Sequence, residues 1–194
     1  METLYLASGS PRRKEILDNL GIPCIMLPQK VDETFQQNSP REEAVRLAAK
    51  KVNALLKTSK EPPPWVLGGD TFLLFQGSFI GKPSDRTEAR QILRTLSGRE
   101  HAVMTGLAFF SPSIGVTTGV EETLVRFAPL SDREIDWYLD TEEWKGAAGA
   151  YRMQEKGGFL IQGIEGSPSN VVGLPIRLFY GMVRHHKYPL NPRG

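Results

Sequence analysis

Residues 4–17 read LYLASGSPRRKEIL, and three kinds of local structure are packed into that stretch. Leu4–Ala7 is apolar and short, which suits a buried strand. Ser8, Gly9 and Ser10 form a small polar loop. Ser10 followed by Pro11 is an N-cap and N1 pair, and Ile16, Leu17 and Leu20 then recur on one helical face until Gly21 offers a C′ stop. Strand, tight loop and helix in immediate succession set an α/β reading from the start. The same stretch carries an oddity, because Arg12 and Arg13 sit in the first turn, where the helix dipole disfavours cations. A loop of this kind presents backbone N–H groups to an anion, Ser8 and Ser10 add hydroxyl donors, and Gly9 lets a ligand approach. Adjacent helical residues point about 100° apart. The two guanidiniums therefore divide the work, one for phosphate and the other for a base or solvent. The plainer alternative is a pair of solvated arginines.

Outward from this start, further helices announce themselves by their caps. Ser39–Pro40 opens a helix whose apolar face runs through Ala44, Leu47, Ala48 and Leu55, with Glu42 and Glu43 suited to the dipole. Asp85 with Glu88, and Ser131 with Glu134, have capping-box spacing. A C-terminal helix is predicted over 174–186. Strand candidates are TLYLA, IPCIML, WVLGG, TFLLF, FIGKP, HAVMTGLAFF, GVEETLVRF and GFLIQGIEG, with hairpin turns at Gln76–Ser78 and at SPSIG. Strands alternating with helices, then hairpins, predict a mixed α/β sheet. Residues 188–194 read as a frayed tail. No repeat or low-complexity segment appears, and the 194 residues read as one domain.

Composition narrows the function. With 40% hydrophobic residues and 24% charged, the chain can build a substantial core. A net charge of +2 is too balanced for a general nucleic-acid binder. Cys24 is the sole cysteine, so neither a disulfide framework nor a cysteine zinc site is available. Neither a signal-peptide stretch nor a run long enough to span a membrane is evident, and the expected location is the cytoplasm.

Several residues are candidates for chemistry. Asp70 in VLGGDTFLLF is an acid among strand residues, which is costly unless it is paired, metal-bound or at a cleft; a general base, a metal ligand and a turn cap are all open. Lys82 in FIGKP lies a hairpin away. GSFIGKP is one residue short of P-loop spacing and has Pro83 where Ser or Thr is required, which excludes a P-loop ATPase. Lys51 sits at the edge of an apolar helix face, where it either snorkels or aims into a cleft. Asp32 and Glu33 follow a strand end and suit Mg²⁺, which takes one or two carboxylates plus phosphate oxygens. Gln154, in GAYRMQEKGGFLI, is a neutral donor and acceptor suited to a base edge. His101, His185 and His186 lack metal-ligand spacing, so a hydrolase here would use a carboxylate and a metal-bound water.

In order and spacing, LASGSPRRKEIL, VDE, LAAKKV, GGDT, GKP, LSGREHAVMTG, AGAYRMQ and GSPSNVVGLP resemble the Maf family of nucleoside triphosphate pyrophosphatases over nearly the whole chain. The resemblance implies an elongated mixed sheet with flanking helices and two lobes around a central cleft. It implies conversion of a nucleoside triphosphate and water to monophosphate and pyrophosphate with a divalent cation (Mg²⁺, Mn²⁺ or Co²⁺). It also implies a cytoplasmic protein with neither nucleic acid nor membrane as partner, and it leaves room for a homodimer. By motif, Asp70 matches the proton acceptor and, with Glu33, the metal site. Lys51 and Lys82 match polar residues of the cleft, Ser8, Ser10 and Arg13 the substrate loop, and Arg12, Thr71 and Gln154 positions linked to base selectivity. AGAYRMQ is similar to the branch acting on dTTP and UTP. The alternatives are a purine or 7-methyl-GTP pyrophosphatase, and a cell-division regulator that senses a nucleotide without turning it over. The chain departs from the family's pattern at Gly69 (usually alanine), Ala147 (commonly lysine), Glu155 (often glycine) and Pro168 (often tyrosine), which bears on selectivity more than on the reaction.

Overall fold

Helix starts follow the local chemistry closely. The computed structural model describes residues 2–36 and 39–190. Its elements, in chain order, are β1 (Leu4–Leu6), α1 (Pro11–Asn19), β2 (Cys24–Met26), α2 (Pro40–Thr58), β3 (Val66–Phe75), β4 (Ser78–Ile80), α3 (Arg86–Leu96), β5 (Glu100–Ser111), β6 (Gly115–Phe127), α4 (Asp132–Asp140), β7 (Ile161–Glu165), α5 (Pro168–Val172) and α6 (Ile176–His185). Ser10 caps α1 by accepting from the Arg13 amide. Reciprocal capping boxes close on Ser39 with Glu42 and on Ser131 with Glu134. At α3 the box is not reciprocal: Asp85 accepts from the Glu88 amide, while the Glu88 carboxylate takes the amide and hydroxyl of Ser84.

The strand order is β2-β1-β3-β5-β6-β7, with β4 on β3. β1 is parallel to both β2 and β3, whereas β3–β4 and β6–β7 are antiparallel, so the sheet is mixed as expected. Gln76 and Gly77 make the β3–β4 turn with φ of 50° and 78°, the left-handed pair that a two-residue hairpin needs. Among the described residues, no helix is long and apolar enough to cross a membrane.

The chain divides into two compact units. The first comprises Met1–Asp70, Thr105–Glu121 and Gly173–Gly194, and the second Thr71–Met104 and Glu122–Val172. The first is built on Leu4, Leu6, Leu17, Leu67, Phe109 and Phe179, with Ala48, Val52 and Leu55 of α2 closing over Ala7, Val66 and Ala108. The second packs Leu73, Leu93, Phe127, Tyr138 and Tyr151.

Four expectations need correction. WVLGG and TFLLF are one strand of 10 residues, because pairing partners carry β3 through Gly68, Gly69 and Asp70. Leu20 is 40% exposed rather than on the buried face of α1, since it is the C-cap residue, where the helical rotation ends. GFLIQGIEG begins as a 3₁₀ turn over Lys156–Leu160, and only Ile161–Glu165 pairs. The tail is anchored as far as Leu190. Tyr188 is buried, its hydroxyl donates to the Glu2 carbonyl at 2.5 Å, and its ring meets Trp65 edge-on at 5.2 Å. Residues 191–194 lie outside the described residues.

Within the second unit, His101 is buried against Phe127 and Tyr151, with Nε2 2.9 Å from the Tyr151 hydroxyl. Burial pushes its pKa down from 6.5 to about 4. The unfolded chain therefore takes up this proton before the folded one, and the associated stability is present above pH 6.5 and lost as pH falls toward 4. The expected loss between pH 7 and 5 is about 2 kcal/mol. Denaturant unfolding of wild type and His101→Phe at both pH values checks this; an unchanged pH dependence in the variant would remove His101 as the cause.

Candidate active site

Two glycines bring α2 down to the sheet. A Cβ on Gly68 would lie 2.6 Å from the Ala48 carbonyl oxygen, and one on Gly106 would run into the Ala44 carbonyl. With bare backbone at both places, the helix approaches β3 and β5 closely enough for Lys51 to reach Asp70. Lys51 is 8% exposed. Its ammonium lies 2.6 Å from Asp70 Oδ1 and 2.6 Å from Glu33 Oε1. Of the two expectations for Lys51, the inward one holds.

Asp70 closes the opening segment of the first unit, and its side chain is 14% exposed, while that of Glu33 is 53% exposed. Two carboxylates thus share one ammonium, one of them sheltered and the other facing water. Glu33 stands in a short segment tied to α2: Lys50 Nζ donates to the Asp32 carbonyl at 2.6 Å, and Arg46 Nη2 to the Thr34 carbonyl at 2.9 Å.

Arg13 is the buried member of the arginine pair, at 4% exposure. Its Nε donates to the Gly173 carbonyl at 2.8 Å and its Nη1 to Ser8 Oγ at 2.5 Å. Burial lowers its pKa to about 10, with Asp70 opposing that shift and Arg12 adding to it, so it is a cation at neutral pH. The guanidinium lies over Gly69, where an added Cβ would meet Nε at 2.9 Å. Glycine at this position thus gives Arg13 room against β3. Arg12 is half-buried. The two adjacent arginines thus differ in burial, as residues about 100° apart on a helix do. Ser10 serves as the cap of α1, and its amide donates to Ser8 Oγ at 3.3 Å.

The structure thereby gathers Ser8, Ser10, Arg13, Glu33, Lys51 and Asp70 in the first unit. Thr71, Lys82 and Gln154 belong to the second. Lys82 is exposed just beyond β4, and the neighbouring Gly81 carbonyl accepts from the Gly149 amide at 3.1 Å. That bond ties the Lys82 loop to the segment leading into Gln154. Gln154 is exposed in a turn whose base is fixed by the Tyr138 hydroxyl, which accepts from the Arg152 amide at 3.1 Å, and by Arg152 Nη2 donating to the Lys145 carbonyl at 2.9 Å.

Glu33 and Asp70 are suitable donors for a divalent cation. Among the described residues no cluster of three His, Cys, Asp or Glu side chains forms. Two carboxylates cannot make an all-protein cage, but they suit a hard cation whose remaining ligands are phosphate oxygens and water.

Some of the site escapes a sequence reading. The Gly173 carbonyl is 160 positions from Arg13, and no local signal marks it. Glu43, placed by sequence in the helix dipole, is fully buried and bonded to Arg46. The i, i+3 spacing of Glu43 and Arg46 signals their pairing but not the burial of Glu43.

A family model described as Maf-like protein matches residues 3–186. The chain is 43% identical over 195 residues to a dTTP/UTP pyrophosphatase of Symbiobacterium thermophilum, covering 100% of this chain and 99% of the relative. It is 41% identical over 181 residues to a dTTP/UTP pyrophosphatase of Pyrococcus abyssi, covering 93% and 95%. The solved structure of the Staphylococcus aureus Ham1 protein aligns over 95% of this chain and 99% of its own at a TM-score of 0.54 and 12% identity, a likeness of fold.

Proposed function

Since this chain belongs to the Maf family, we propose that it hydrolyses nucleoside triphosphates, dTTP and UTP foremost, to the monophosphate and pyrophosphate. The observation that carries the reading is the Glu33–Lys51–Asp70 cluster in the same unit as the buried Arg13 and the Ser8–Ser10 loop. Water attacks the α-phosphorus and pyrophosphate leaves with the electrons of the broken P–O bond. Asp70 orients the water and takes its proton on Oδ2, while Lys51 holds Oδ1. Lys51 and Arg13, both of the first unit, spread the charge that develops on the phosphate oxygens, and the family resemblance gives Lys82 a phosphate-binding role. Glu33 and Asp70 would hold the divalent cation, which supplies charge neutralisation on the triphosphate.

Selectivity is assigned to Gln154, Arg12 and Thr71. The amide of Gln154 complements the N3–H and carbonyl oxygens shared by uracil and thymine, and the family resemblance links Arg12 and Thr71 to the same selectivity. Cytosine lacks the N3–H and carries an amine at C4, so an amide set to pair with uracil loses its complementary partners when cytosine enters. The test is kcat/KM for dTTP, UTP, CTP and 7-methyl-GTP, with product chromatography, in Mg²⁺, Mn²⁺ and Co²⁺. The wild type is expected to prefer dTTP and UTP. Gln154→Glu is expected to cut pyrimidine use about tenfold or more and to narrow the gap to the other bases. A wild type preferring 7-methyl-GTP or CTP would overturn the assignment, and an unchanged ranking in the variant would remove Gln154 from it.

A further inference from the structure

We infer that Arg46 is a positioning residue for the reaction: together with Glu43 and Lys50, it fastens residues 32–36 to α2 and thereby sets Glu33 against Lys51. This rests on the functional reading above, in which Glu33 works beside Asp70.

The fastening is made through alternate residues of the segment. Lys50 Nζ donates to the Asp32 carbonyl at 2.6 Å, Arg46 Nη2 to the Thr34 carbonyl at 2.9 Å, and the Gln36 amide to Glu43 Oε1 at 2.8 Å. Glu33, between the first two anchors, reaches Lys51 at 2.6 Å. The three anchors stand at positions 43, 46 and 50 of α2, the i, i+3, i+7 spacing of one helix face, and Lys51 follows directly. All three hold main-chain groups, so the hold does not depend on which side chains the segment carries.

The arrangement is closed on the helix side. Arg46 donates from Nε and Nη2 to Glu43 Oε2 at 2.9 and 2.6 Å, and Glu43 is 0% exposed. One guanidinium therefore serves a buried carboxylate and a loop carbonyl together, and its planar fork fixes the angle between the two, which a freely rotating ammonium on a flexible stem does not. Within the segment, Asp32 Oδ1 accepts from the amide and hydroxyl of Thr34, at 3.0 and 2.5 Å, which tightens the turn on which Glu33 sits.

A buried ion pair is weak evidence of stabilisation, because desolvating both charges offsets their attraction. Placement is the better account here. Glu33 is half in water, and an ion pair exposed to that degree holds little by itself. With its main chain fastened on both sides, Glu33 stays on Lys51 without depending on that pair. Neither Glu43 nor Arg46 is assigned any contact with substrate.

The experiment is a double-mutant cycle on the full-length protein with dTTP as substrate. Arg46→Lys keeps a cation on Glu43 but gives up the fork. It is expected to lower kcat roughly ten- to hundredfold, the scale of a small misplacement in a site, with KM little changed and the thermal midpoint within about 5 °C of wild type. In a Glu33→Gln background the same change is expected to cost no more than about twofold, because the group it positions is already gone. Hydrogen exchange at the Gln36 and Thr34 amides is expected to accelerate in Arg46→Lys with exchange elsewhere in α2 unaltered. Lys50→Met frees the Asp32 carbonyl without touching Glu43, and it should show the same pattern more weakly if Arg46→Lys proves unstable. A full cost in the Glu33→Gln background, or normal turnover with accelerated exchange at residues 34 and 36, overturns the inference. A wild type that hydrolyses no nucleoside triphosphate overturns the functional reading itself, and the inference with it.

Discussion

Asp70→Asn is expected to lower the turnover of dTTP at least about a hundredfold while leaving the fold intact. The substitution keeps size and shape. The amide oxygen can still accept from Lys51 where Oδ1 does now, at 2.6 Å, and Glu33 remains paired with the same ammonium. What disappears is a basic oxygen able to receive the proton of the attacking water, and with it one of the two anionic donors to the divalent cation, so turnover is compared at saturating cation. The loss should therefore fall on kcat. Steady-state kinetics with a thermal unfolding curve on the same preparation tests this, and near-wild-type turnover by a folded Asp70→Asn protein would take Asp70 out of the chemistry.

Lys51→Met should be at least as damaging, and for two separable reasons. Methionine matches the aliphatic stem but removes the cation between two carboxylates, one of which is only 14% exposed. A sheltered charge that loses its partner is destabilising by about 3 kcal/mol. Turnover should fall by about a hundredfold or more, because a donor aimed at developing negative charge is gone. The double variant Lys51→Met/Asp70→Asn separates the two effects. It should recover stability relative to Lys51→Met, since no unpaired acid is left in the sheltered position. Its residual activity should lie close to that of the worse single variant, as for groups acting as one unit. Independent, multiplying losses of activity would show that the two residues act separately.

What could be read from sequence was what is decided within a few residues. Ser10, Ser39 and Ser131 signal helix starts because the cap and the amide it satisfies lie three positions apart. The Gln76–Gly77 turn is legible for the same reason. The site was legible to the extent that chemistry betrays itself by incongruity, such as cations at the wrong end of α1 or an acid inside a strand. Long-range features were not. Gly68, Gly69 and Asp70 look like an interruption because glycine and aspartate are poor strand formers alone, but neighbours in the sheet override that preference. Tyr188 looks like part of a tail because its partners, Glu2 and Trp65, lie at the other end of the first unit's sequence. Glu43 looks like an ornament of the dipole because its burial follows from how α2 packs, which no window along the chain reveals.

The close seating of α2 on Gly68 and Gly106 has a consequence for how this gene can vary. Neither glycine carries a functional group, yet each is as exposed to loss-of-function change as the lysine it brings into place. A single methyl at either position has nowhere to go except against the Ala48 or Ala44 carbonyl. Alanine, the mildest replacement available to most sites, would there lift the whole helix and carry Lys51 away from Asp70. A saturation library selected for activity should thus show two intolerant columns at positions with no chemistry of their own, and an inventory of reactive side chains would pass over both.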